Sequence, residues 1–269
     1  MKSLMLKNIK SNFKNLARPA YEAYIKYLSS RYLIAGKYRR IYHYHIRKTG
    51  GTSLNSSFWE LGGFDLQSKK QERRLIKKSL VFVHSVKPLI EEGNYFFAHS
   101  HHPAHQISLP PDTFTITMLR NPIKRVLSFY KYLTWTKENI NNPNKYLEDP
   151  FIDSVFKETV FLGDNFDDFL DKIRKPYLLT HLYMFSPEYS IEEALEKILS
   201  CSAVCFTETM NSDMHSLSKK LELPLIEKRE RRLVPNSVQI PDNLDKLKLL
   251  LEPELILFEK VKKELNKNI

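Results

Sequence analysis

"YHYHIRKTGGTSLNSSFWELGG", residues 42–63, decides how the chain is read. An apolar-aromatic run enters a short turn holding one lysine, two glycines and several hydroxyls, and a helix-like stretch follows at once. A strand that ends in such a turn and feeds a helix N-terminus forms an anion site. Backbone N–H groups converge there and the helix dipole favours negative charge. Lys48 adds a mobile cation. The glycines stand in the wrong order for the loop that binds ATP or GTP, which reads GxxxxGK[ST]. Here Lys48 precedes Gly50 and Gly51, and no GK[ST] occurs anywhere in the chain. An ordinary nucleoside triphosphatase does not fit.

Outward from this loop the chain alternates short β-branched or aromatic runs with helix-like stretches. The runs Ile41–Ile46, Leu80–His84, Tyr95–His99, Thr113–Leu119 and Ala203–Thr207 read as buried parallel strands. Ser53–Leu61, Pro122–Thr134, Asn165–Ile173, Ile191–Leu199, Asn211–Leu221 and Pro253–Asn266 read as helices. Strands spaced by helices predict an α/β fold in three layers, P-loop-like, with a central parallel sheet flanked by helices. The stretch 136–180, polar at its start, reads as an insertion near the active face.

The chain is basic, with 42 Lys+Arg against 31 Asp+Glu and a net charge of +11. That balance points to polyanionic company: a nucleic acid, an anionic lipid, a glycan or a charged nucleotide. Part of the excess is local, since ten Lys/Arg and the single acid Glu22 fall within residues 1–40. There Met5, Ile9, Phe13 and Leu16 recur at helical spacing opposite Lys7, Lys10 and Lys14. A second helical stretch, Tyr21 to Tyr32, follows Pro19. We read residues 1–40 as a basic amphipathic segment and 41–269 as one domain. Residues 1–36 are expected to touch an anionic membrane surface, although packing on the domain edge reads equally well. No run approaches 18 apolar residues. Two cysteines, Cys201 and Cys205, neither frame a disulfide scaffold nor space a metal knuckle.

A second element bears on the first. "FTITMLRNPIKRVLSFYKYL", residues 114–133, is a strand ending at Arg120, a turn on Asn121-Pro122, and a helix. Asn121 suits the cap and Pro122 the first helical position. Arg120 stands at a strand's carboxyl end, where open α/β sheets bind ligands, and Ser128 lies two turns along the helix. An arginine fork with a nearby hydroxyl suits a terminal phosphate. Taken singly, each feature is also an ordinary structural device: a strand-end turn, or an arginine closing a sheet edge.

Together, H-I-x-K-T-G-G-T-S-L and L-R-N-P-x-x-R-V-L-S-F-Y resemble the PAPS-dependent sulfotransferases. The resemblance is to the carbohydrate branch that includes the heparan sulfate 2-O-sulfotransferases and their bacterial relatives, and it covers roughly residues 41–265. PAPS is 3′-phosphoadenosine 5′-phosphosulfate, here a co-substrate. The resemblance implies that Lys48, Thr49, Gly50, Gly51, Thr52 and Ser53 hold the phosphosulfate, and that Arg120 and Ser128 hold the 3′-phosphate. It places "EKRERRLVPN", with Arg229, Arg231 and Arg232, over the nucleotide. It also implies a carbohydrate hydroxyl as acceptor rather than nucleic acid, and the basic surface would suit an acidic polysaccharide or a glycolipid. A cytoplasmic enzyme, peripheral at the inner membrane surface, is the expectation. Arg47 departs from the pattern, standing where the family commonly has proline.

"FFAHSHHPAHQ" packs four histidines into residues 99–105. Clustered histidine suggests a metal site, but no acid follows until Asp112. The resemblance implies a base at an H-x-H, here His99 and His101, with no metal. We assign His101 as base and His99 as its partner or substitute. Lys48 stabilises the leaving phosphate. An imidazole near its usual pKa of about 6.5 suits proton removal at neutral pH. His43 and His45 share one face of the first strand and read as packing residues. A kinase-like phosphotransferase would need the GK loop that is absent. A nucleic-acid-binding protein would explain the charge but leave Lys48, Arg120 and the histidines without a purpose.

Overall fold

The computed structural model describes residues 18–64, 74–142, 144, 152–226, 240, 242 and 244–266. Residues 1–17, with the first amphipathic run, and Arg229, Arg231 and Arg232 lie outside the described residues.

The fold is mixed α/β around a six-stranded sheet ordered β2-β3-β4-β1-β5-β6, flanked by helices. Its strands are β1 (Arg40–Tyr44), β2 (Arg74–Lys77), β3 (Leu80–His84), β4 (Phe97–Ser100), β5 (Thr113–Leu119) and β6 (Ala203–Phe206). The five expected strands are present, shifted at their ends by at most two residues, and they pair in parallel. The sheet is not wholly parallel. β2 runs antiparallel to β3 at one edge, joined by a two-residue hairpin at Lys78-Ser79. Both turn residues have positive φ, 50° and 61°. Such a turn normally carries Asn or Gly, so neither residue announces it.

Side chains of β1 alternate between two cores. Ile41 packs with Leu54, Phe58 and Trp59 of the Gly51–Gly62 helix, and Phe58 stacks on Phe97 of β4 at 4.3 Å between centroids. Tyr42 faces the opposite layer with Val81, Val83 and Ile90. Ile25 and Leu28 belong to that same layer, carried by a helix over residues 18–30. Within the basic N-terminal segment, Ile25 and Leu28 thus pack against the sheet. Among the described residues no helix is long and apolar enough to cross a membrane.

A buried charge cluster ties the third core together. Arg125, on the Pro122–Asn139 helix, donates to the carbonyls of Tyr177 (3.0 Å) and Leu178, to the Thr180 hydroxyl (3.1 Å) and to Glu254 (3.4 Å). Glu254 also accepts the backbone N–H groups of His181 (2.5 Å) and Leu182 (3.3 Å) and contacts the His181 ring at 3.0 Å. Burial alone would raise the Glu254 pKa, but His181 and Arg125 outweigh it and hold the carboxyl below its usual range. The cluster pins the 175–185 segment between two helices. This segment, the 152–161 helical turns and the Phe166–Lys172 helix make the described part of the 136–180 stretch mostly helical.

Removing one member of a buried pair strands its partner, which costs about 3–5 kcal/mol. Glu254→Ala is expected to lower unfolding stability by that amount in a denaturant titration, with Arg125 left uncompensated.

Candidate functional site

The parallel register brings four strand ends together. Tyr44 pairs with Ser100 and Thr117, and the His45 N–H donates to the Ser100 carbonyl at 3.0 Å. The residues that follow β1, β4, β5 and β6 are His45, His101, Arg120 and Thr207. They meet at the carboxyl edge where β1 lies between β4 and β5, the switch point of such a sheet.

The first loop is tightly made. Lys48 and Gly50 both adopt positive φ, 65° and 84°. A Cβ on Gly50 would lie 2.6 Å from the Met210 side chain. One on Gly51 would lie 2.1 Å from the His45 ring and 2.9 Å from that of His43. Glycine is thus required where the helix start leans on the two imidazoles. No side chain caps this helix and no acid stands in its first turn, so the positive end of its dipole faces the loop. The Lys48 ammonium sits 3.8 Å from the Tyr132 ring centroid. Thr49 is turned inward, its hydroxyl donating to the Ile46 carbonyl at 2.9 Å. The Thr207 hydroxyl donates to the Thr49 carbonyl and closes the loop from β6.

The second element meets the first directly: the Arg120 guanidinium donates to the Lys48 carbonyl at 3.0 Å. Asn121 caps the following helix, accepting from the Lys124 N–H at 3.1 Å, and Pro122 is its first residue. Burial lowers the Arg120 pKa while Glu208 counters it. A guanidinium already desolvated gains most from an arriving anion. Arg120 and Ser128 line a cavity of about 310 Å³ together with Lys48, Gly50, Gly51, Thr52, Ser53, His99 and His101. Of the expected residues that the structure describes, only Thr49 does not line it.

Five imidazoles cluster here, and four of them, His45, His84, His99 and His101, wall the cavity. His43 Nδ1 bonds the Asn55 side-chain oxygen Oδ1 at 2.7 Å, and the Asn55 side-chain Nδ2 reaches His45 Nδ1 at 3.3 Å. His45 lies against His101 at 4.4 Å and His43 at 5.1 Å between centroids. His84 Nδ1 and His99 Nε2 are 3.0 Å apart, with Trp59 packed on His99. His101 Nδ1 contacts the His45 carbonyl at 2.5 Å. A carbonyl only accepts, so Nδ1 carries the proton and the lone pair of His101 resides on Nε2. Burial of the ring, then the nearby Arg47 guanidinium, lower the His101 pKa below the usual imidazole value, though an exposed edge of the residue tempers the burial. Among the described residues no three His, Cys, Asp or Glu side chains group as metal ligands.

A family model described as the sulfotransferase family matches residues 30–234. The chain belongs to that family. No curated protein matches it. The loop, the arginine, the serine and the histidine wall all lie within the matched span.

Several cavity residues of this sulfotransferase carried no signal in sequence. His45, read as packing, lines the cavity, whereas His43 is fully buried against Asn55. Period-2 alternation places both on one face but not at different depths. Asn55, Trp59, His84 and Tyr132 come from elements whose orientation only the packing settles. Arg47 also lines the cavity and is salt-bridged to Glu158.

Gly51→Ala would drive a methyl group into the His45 ring. Overpacking of this kind costs about 1–3 kcal/mol. The variant is expected to melt earlier by calorimetry and to lose sulfuryl transfer, because relief requires moving the loop or the imidazole wall.

Proposed function

We propose that the chain transfers the sulfuryl group of PAPS to a hydroxyl of a carbohydrate acceptor, with His101 as general base. The observation that carries this reading is convergence: Lys48, Arg120 with Ser128, and His101 come from three strand ends and line one cavity. The uncapped helix start and Lys48 suit the 5′-phosphosulfate, and Arg120 with Ser128 suits the 3′-phosphate. These two sites fit the donor's two anionic ends.

In the transfer, the acceptor oxygen attacks sulfur while its proton passes to His101 Nε2. The bond between sulfur and the bridging oxygen of the 5′-phosphate breaks, and its electron pair stays on that oxygen. A sulfate ester and adenosine 3′,5′-bisphosphate result. Lys48 and the helix dipole stabilise the charge that grows on the leaving phosphate. His101, held neutral by burial and by Arg47, keeps its lone pair available. No redox step is involved.

The reading is tested by PAPS-dependent transfer to a glycan panel, beside titration with adenosine 3′,5′-bisphosphate and with ATP. Binding of the bisphosphate but not ATP, with label reaching a glycan, is expected. Equal binding of ATP, or no transfer to any glycan, rejects it.

His101→Ala is expected to bind the bisphosphate as the parent does and to transfer sulfate about 10²–10⁴-fold more slowly, the usual cost of losing a general base. The parent's pH profile carries a sign. Because the His101 pKa is lowered, the neutral base persists to lower pH, so the acidic limb should fall below about 6.5, the free imidazole value. An acidic limb above that value would assign the titration to another group.

Arg120→Ala is expected to weaken bisphosphate binding by about 2–3 kcal/mol, as for a lost charge-assisted pair, and to affect AMP far less. Calorimetry with both nucleotides measures the difference. Equal losses would place Arg120 in the loop's framework alone.

A further inference from the structure

A second cavity, about 290 Å³, adjoins the first. His45, Arg47 and His101 line both spaces, and the second is walled also by Pro103, Pro176, Tyr177 and Tyr183. We propose that this cavity receives the sugar ring bearing the acceptor hydroxyl, and that the ring it takes is uncharged. The proposal rests on the sulfuryl-transfer reading above and narrows it.

Position comes first. An in-line transfer needs donor and acceptor on opposite sides of the reacting sulfur, with the base beside the acceptor oxygen. Two adjoining cavities that share His101 meet that need, with the base at their junction. The volume lies at the small end of ligand pockets, which run about 300–1,000 Å³, and suits one ring rather than a length of oligosaccharide.

The walls are rigid. Tyr177 stacks on Phe129 at 5.9 Å and 4° between planes, and its hydroxyl donates to Glu158 at 3.3 Å. Its carbonyl is held by buried Arg125. Tyr183 stacks on Tyr189 at 5.8 Å, and its hydroxyl accepts from the Gln106 amide at 3.4 Å. Tyrosine and proline faces match the C–H faces of a pyranose, whose hydroxyls emerge at the ring edge.

Charge selects among sugars. Arg47 is the cation of this lining, and Glu158 pairs with it at 2.5 Å. The guanidinium also lies 5.3 Å from the Tyr177 ring centroid. A carboxylate or sulfate on the acceptor ring would compete with Glu158 for Arg47 and be repelled by the Glu158 charge. With the pair balanced, the cavity presents no net charge, so the acidic acceptor suggested by the overall +11 is not the one this wall favours.

The test compares uncharged methyl hexosides, the matching methyl hexuronides and a simple phenol as acceptors with PAPS. Hexosides are expected to be turned over in preference to hexuronides. Tyr183→Ala should raise the acceptor KM about ten-fold, the loss of one aromatic contact, with bisphosphate binding unchanged. Tyr183→Phe should keep the parent KM, which separates loss of the wall from loss of the fold. Glu158→Gln unbalances Arg47 and should raise the hexuronide-to-hexoside ratio of kcat/KM by about ten-fold. Preference for hexuronides or for the phenol, turnover of no glycoside, or an unchanged KM in Tyr183→Ala overturns the proposal. Failure to bind adenosine 3′,5′-bisphosphate defeats the sulfuryl-transfer reading itself, and the proposal with it.

Discussion

Everything at the candidate site depends on how closely the Gly51–Gly62 helix approaches β1. With no Cβ at Gly51, the helix start rests against the His43 and His45 rings at distances no side chain would allow. That approach brings the positive end of the helix dipole and the imidazole wall to the same cavity. Gly50, in the left-handed region, makes the turn that permits it. The two glycines therefore have separate reasons: one for conformation, the other for space.

The rest of the structure braces this contact from several directions. Arg120 reaches back from β5 to the Lys48 carbonyl, and Thr207 reaches from β6 to that of Thr49. The loop is held by backbone acceptors, which leaves its cationic side chain toward the cavity. On the far side, the Arg125–Glu254–His181 cluster fixes the segment bearing Tyr177 and Tyr183. Buried charges of this kind stabilise little in net terms but define one geometry, since each alternative strands an ion. Arg125 belongs to the same motif as Arg120 and Ser128, yet it faces the core. One helix thus carries a cavity-lining serine and a buried framework arginine only three residues apart.

Arg47 joins the two spaces. It stands one residue before Lys48 and is paired with Glu158 from the helical turns of the 136–180 stretch. The long-range pair lets a residue beside the glycine loop form part of another wall. It also places a positive charge beside His101, the second cause of that imidazole's lowered pKa.

The strand-turn-helix layouts at residues 42–63 and 114–133 were legible because local chemistry writes them. Apolar runs, a glycine-hydroxyl turn, the Asn121 cap and Pro122 each act within a few residues. Those features determined the α/β class, the parallel strands and the strand-turn-helix form of the Lys48–Ser53 loop. They did not determine the β2–β3 hairpin, whose Lys78-Ser79 turn has no compositional mark. Nor did they separate His45 from His43, because depth within a face depends on what packs opposite. The tertiary structure decided those matters, along with the inward turn of Thr49, the Arg47–Glu158 pair and the aromatic wall at Tyr177 and Tyr183. Each depends on groups tens of residues apart, brought together only when the sheet closes its register.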